Sequence, residues 1–110
     1  IIKNYKETQK ISVEEVFEDY LDRKIKNDNI KESTVVKYRA VFTRHFVSTG
    51  WNQKDIRGIT TGQFIDFIED EIGQKKLDTK GMASFKGIVK GIIRRAKNRG
   101  LIDYTYSFPP

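Results

Sequence analysis

The last third of the sequence holds the residues best suited to act on another molecule. Between Thr79 and Gly100 stand Lys80, Lys86, Lys90, Arg94, Arg95, Lys97 and Arg99, and no acid. Lys86, Lys90, Arg94 and Asn98 follow an i, i+4 spacing. On a helix that spacing stacks side chains along one face, where like charges repel by about 0.2–0.5 kcal/mol per pair. A solvated face ordinarily mixes signs. A cationic stripe with no acid of its own costs stability unless an anion meets it, so the chemistry it suggests is the binding of a polyanion. The formal net charge of +6 over 110 residues points the same way, though less specifically.

Catalytic readings find little support. His45 is the only histidine and there is no cysteine, which argues against a metal site and removes a thiolate nucleophile. His45 reads as a partly buried helix residue beside Phe46. The acidic groups Glu14-Glu15 and Asp66, Glu69, Asp70 fall on solvent faces, where solvation explains them better than general acid–base work. Tyr104 and Tyr106 read as linker residues, because a phenol needs positioned cations to become a nucleophile. No glycine-rich phosphate loop is present. Trp51 reads as a plug for the core. No catalytic residue, metal or cofactor is expected.

With 37% hydrophobic and 33% charged residues the chain fits one well-solvated globular domain. The lack of cysteine fits the cytoplasm. No apolar run approaches the ~20 residues of a membrane span, so no membrane partner is expected. Ile1-Ile2-Lys3-Asn4-Tyr5 has no apolar stretch of the signal-peptide kind, and it lacks an initiator Met. The natural protein is therefore expected to continue upstream. Phe108-Pro109-Pro110 reads as a linker.

Four helices must position the cations. The first is capped by Ser12, with Glu15 completing a capping box. Val13, Val16, Phe17, Tyr20 and Leu21 share one face, and the helix is expected to end near Ile25. The second starts after Ser33 or Thr34, buries Val35, Tyr38, Phe42 and Phe46, and stops near Gly50. Residues 51–59 form a loop anchored by Trp51, Ile56 and Ile59. The third is capped by Thr60 with Gln63, carries Phe64, Ile65, Phe67, Ile68 and Ile72, and is expected to end at Gly73. The fourth is capped by Asp78 or Thr79 and repeats Phe85, Ile88, Val89, Ile92, Ile93 and Ala96. Gly100 and Leu101 are placed to close it with a Schellman motif. The expectation is all-α: a compact four-helix bundle.

Charge sorts by helix. Residues 12–25 hold five acids against Arg23 and Lys24, a net of −3, and residues 60–74 are −4. Residues 31–46 are +3, with Lys31, Lys37, Arg39 and Arg44 against Glu32. At 100° per residue, the face of the second helix opposite its core holds Ser33, Lys37, Ala40 and Arg44. The outward face of the fourth holds Ala83, Gly87, Lys90 and Arg94, flanked by Lys86 and Lys97 on one side and Lys80, Gly91 and Asn98 on the other. Gly87 and Gly91 each cost about 1 kcal/mol relative to Ala. Close approach to a DNA backbone and close packing on a neighbouring helix explain that cost equally well. Two such helices side by side make a shallow basic groove that suits duplex DNA.

Particular stretches resemble a known family. Ser33-Thr34-Val35-Val36-Lys37-Tyr38 is followed by Phe42 and Phe46. Asp55-Ile56 and Ile59-Thr60 lead into Phe64 and Phe67. The fourth helix closes as Ile92-Ile93-Arg94-Arg95-Ala96-Lys97-Asn98-Arg99-Gly100-Leu101-Ile102. In this order and spacing, residues 11–103 resemble the core-binding domain of the tyrosine recombinases, the phage and transposon integrase family. That resemblance implies a SAM-like bundle forming half of a clamp around duplex DNA at a crossover site. It implies that Thr34, Lys37, Tyr38, Arg44, Lys86, Lys90 and Arg94 face DNA or support that face. Tyr38 is expected to put its ring in the core. Other recombinase protomers would be partners of the full-length protein. The family's Arg, His and nucleophilic Tyr motifs belong to a C-terminal domain that this sequence does not contain. The family usually has an Asn-Pro soon after the last helix, where this chain reads Asp103-Tyr104-Thr105-Tyr106-Ser107-Phe108-Pro109, so the linker position stays open.

The full expectation is a non-catalytic DNA-binding domain over 12–103, with residues 1–11 before it and a linker over 104–110. Ser33, Thr34, Lys37, Arg44, Lys80, Lys86, Lys90, Arg94 and Lys97 are its DNA-binding candidates. The alternatives are a SAM-like interaction module that self-associates through acidic and basic helices, and a helix-turn-helix regulator. The last is weakened by the long loop between the second and third helices.

Overall fold

The structure, a computed structural model, describes residues 9–105. The expected boundary segments at residues 1–8 and 106–110, with Tyr106 and the final prolines, lie outside the described residues. Among the described residues the elements are α1 (Val13–Asp28), α2 (Glu32–Phe42), α3 (Thr61–Gln74) and α4 (Thr79–Asn98). A π-helical turn, Thr43–Val47, continues α2, and two 3₁₀ turns, Trp51–Gln53 and Ile56–Gly58, bridge to α3. The fold is all-α. No helix is long and apolar enough to cross a membrane among the described residues.

The caps follow the side chains that can satisfy free N–H groups. Ser12 accepts from the Glu15 amide, Asp78 accepts from the Gly81 amide, and Thr60 with Gln63 forms a reciprocal capping box. The end of α4 is a Schellman motif. The Leu101 amide donates to Ala96 O and the Gly100 amide to Lys97 O, with Gly100 at φ 74°.

Three boundaries differ from the sequence expectation. Helix α1 runs three residues past Ile25, to an Asn29 in the left-handed region. Its extra turn is held by the Lys24–Asp28 and Lys26–Asp22 ion pairs. Helix α2 begins at Glu32 with Lys31 at the cap and no side-chain capping bond, so Ser33 and Thr34 lie inside its first turn. Gly73 does not end α3, which continues to Gln74. The chain reverses at Lys76, φ 49°, where the Leu77 amide bonds to Ile72 O.

The core is an aromatic relay. Phe17 of α1 stacks on Phe42 (4.1 Å, 7°), and Phe42 on Phe46 (4.9 Å). Phe46 meets Phe67 at 5.1 Å, and Phe67 stacks on Trp51 at 4.1 Å. Phe85 of α4 packs against both Phe46 and Phe67. Trp51 is thus half-buried against the core, as expected of a plug. Val35 and Tyr38 pack only at the core's margin, half-buried. The 51–59 segment is stitched to the start of α1 by the Val13 amide on Lys54 O and the Ile56 amide on Ile11 O.

Two further corrections concern polar residues. His45 is fully buried, 2% exposed, with Nδ1 at 2.9 Å from Glu71 Oε1 and its ring 4.2 Å from Phe85. Glu71 is equally buried and also pairs with Lys75 at 2.8 Å. One of the four α3 acids therefore faces the core. Tyr104 is not linker. Its ring packs on Phe64 and its hydroxyl donates to Ile59 O at 2.7 Å. Burial raises its pKa to about 12.

Candidate nucleic-acid interface

Helix α4 buries Phe85, Ile88, Val89, Gly91, Ile92, Ile93 and Ala96, and the arc around Lys90 and Arg94 is left to solvent. Lys80, Lys90, Arg94 and Lys97 are exposed on that arc, with Ala83, Ser84 and Gly87 between them. Lys86 is half-buried at its edge. On α2, Ser33, Lys37 and Arg44 are exposed and Thr34 is half-buried.

The structure divides the cations into two sets. Arg95 donates to Asp19 at 2.8 Å, and Arg99 reaches Asp19 and Glu15 at 3.4 and 3.5 Å. Arg39 pairs with Glu18 across α1 and α2. Burial alone would raise the Asp19 pKa. The hydrogen bond and charge of Arg95, with Arg99 and Arg23, overcome it and hold the carboxyl below its ordinary value. The acids of α1 are therefore counter-charges for Arg39, Arg95 and Arg99. Lys37, Arg44, Lys80, Arg94 and Lys97 have no carboxylate partner among the described residues.

Three adjoining depressions shape this side of the molecule. Lys90, Arg94, Lys97 and Asn98 line one on the outside of α4. A second lies between α1 and α4, where Arg23, Lys24 and Asn27 face Arg94, Arg95 and Asn98. The third forms where α1, α2 and α4 meet, lined by Tyr20, Lys24, Tyr38, Ser84 and Gly87. Arg94 and Asn98 belong to the first two, and Tyr20 and Lys24 to the last two. Lys90, Arg94 and Lys97 are thus brought together. Lys80 lies near the other end of α4, and Ser33, Lys37 and Arg44 line none of the three depressions.

Gly91 separates the two explanations of its cost. A Cβ there would lie 2.3–2.7 Å from ring carbons of Tyr20, so at Gly91 α4 packs closely against α1. Gly87 has nothing within 4 Å of such a Cβ and stays open.

Sequence reasoning missed the α1 wall. The helix is acidic on average, which hides that its acids lie mostly in the first half and Arg23, Lys24 and Asn27 in the second. Counting charge per turn rather than per helix would have found them.

No family model matches the chain, and neither a curated protein nor a solved structure matches it.

Proposed function

We propose that this chain is a non-catalytic DNA-binding domain, a SAM-like bundle of the kind that tyrosine recombinases use to clamp duplex DNA at the crossover site. Phosphate contacts supply most of the affinity and little of the sequence choice. Its partners are duplex DNA and, in a full-length recombinase, other protomers. One observation carries the reading: the acids of α1 neutralise Arg95 and Arg99, while Arg94 and Lys97 on the outer arc of α4 have no acid opposite them among the described residues. Small side chains at Ala83, Ser84 and Gly87 leave room for a duplex to approach the same arc. The test is duplex affinity of Lys90→Glu and Arg94→Glu, with circular dichroism as the control for fold. Strongly weakened binding with unchanged helicity is expected. Wild-type affinity in both variants would refute the surface.

Self-association is the second reading. The exposed α3 acids Asp66, Glu69 and Asp70 favour it, but Glu15, Glu18 and Asp19 of α1 are already engaged within one molecule. A helix-turn-helix is disfavoured by the 48–60 segment, which holds two 3₁₀ turns where that motif has a single short turn.

A further inference from the structure

We propose that the groove between α1 and α4 is a seat for a backbone phosphate of the bound duplex, held by Arg23 and Asn27 from α1 and by Arg94 and Asn98 from α4. The inference rests on the DNA-binding reading and adds to it a helix whose overall charge is negative.

Four observations support the seat. The groove encloses about 290 Å³ between two walls that each offer a guanidinium and a carboxamide. Its one acid, Asp28, is occupied by Lys24 at 3.1 Å. Of the cations, Arg95 is bound to Asp19, and Arg23 holds Asp19 only loosely at 3.7 Å with its side chain 55% exposed. Arg94 has no carboxylate partner among the described residues. The lining therefore carries an excess of positive charge, and two carboxamides that can donate to an anion without adding repulsion.

The floor is built by close packing. Tyr20 lies across Gly91, both line the groove, and any larger residue at 91 would displace the ring. The groove is also continuous with the outer arc. Arg94 and Asn98 line both it and the hollow that holds Lys90 and Lys97. A strand lying along α4 can thus pass from one to the other without leaving cationic surface.

The experiment is fluorescence anisotropy of a labelled duplex with the 110-residue chain and its Arg23→Gln/Asn27→Ala variant, across a salt series. Both residues are exposed, so the melting temperature should not change. Lys26→Gln, whose cation sits on the same helix but outside the groove, controls for net charge. Loss of one phosphate contact predicts about tenfold weaker binding near 0.1 M salt and a log–log salt slope smaller by about 1. Lys26→Gln should bind as the wild type does. Wild-type affinity in Arg23→Gln/Asn27→Ala, alongside lost binding in Lys97→Glu, would overturn the seat and leave DNA binding on α4 intact. Weaker binding with an unchanged slope, or an equal loss in Lys26→Gln, would also overturn it. Absence of wild-type binding at every salt concentration would remove the DNA reading and the seat together.

Discussion

Gly87 and Gly91 occupy the same helix four residues apart, yet Ala at the two positions should move stability in opposite directions. At Gly87 an added Cβ meets nothing within 4 Å. Only the intrinsic preference remains, and Ala should stabilise by about 0.5–1 kcal/mol. At Gly91 the same preference acts, but the Cβ would stand 2.3 Å from Tyr20 Cζ. The ring is the far end of its side chain and can swing aside, but only by leaving the α1–α4 seam. Giving up part of an aromatic side chain's burial, with the repacking that follows, costs about 1–3 kcal/mol. Gly91→Ala should therefore destabilise by about 1 kcal/mol net, leaving the variants roughly 2 kcal/mol apart. For a domain of this size each kcal/mol moves the melting temperature by about 4–8 °C. Thermal melts by circular dichroism resolve that easily. In a Tyr20→Ala background the obstacle is gone, and Gly91→Ala should become stabilising. Equal stabilisation at both glycines in the wild-type background would refute the close α1–α4 approach.

Further expectations follow from the two sets of cations and the buried polar groups. Arg95→Ala should lower stability by about 1 kcal/mol, because it removes the shortest hydrogen bond to the partly buried Asp19 and leaves it only Arg99 at 3.4 Å and Arg23 at 3.7 Å, whereas Arg94→Ala should leave the melt unchanged and weaken duplex binding. Tyr104→Phe should cost about 0.5–1.5 kcal/mol in a urea melt through loss of the bond to Ile59 O. The raised Tyr104 pKa contributes stability that is present below the unfolded value near 10 and lost as pH rises toward 12. Burial is the largest cause that holds the His45 pKa below its usual 6.5, outweighing its hydrogen bond to the Glu71 carboxylate. The unfolded chain then takes up the proton first, so melting temperature should fall as pH drops below about 6.5. His45→Gln should flatten that dependence.

Three of the helices were legible because each carries a full apolar face at 3.6-residue spacing and a side-chain cap. The second was less so, since Val35 and Tyr38 reach only the core's edge, and its start was misplaced because Lys31 caps without a side-chain bond. The outward cations of α4 were legible from the wheel alone. Their sorting was not, because which arginines are neutralised depends on α1 lying against α4, a contact between residues 76 or more apart in sequence. The His45–Glu71 pair was hidden for the same reason. A glutamate in a run of acids reads as solvated until its neighbour across the core is known. Tyr104 lies past the last helix, where periodicity gives no signal, and only its bond to Ile59 places it inside the domain.

Whether this surface binds DNA is decided by titrating a labelled duplex of two to three helical turns with the wild-type chain at several salt concentrations. Binding should weaken with salt at a log–log slope of about −4 to −6. No binding even at low salt, or an affinity indifferent to salt, would contradict the DNA-binding reading.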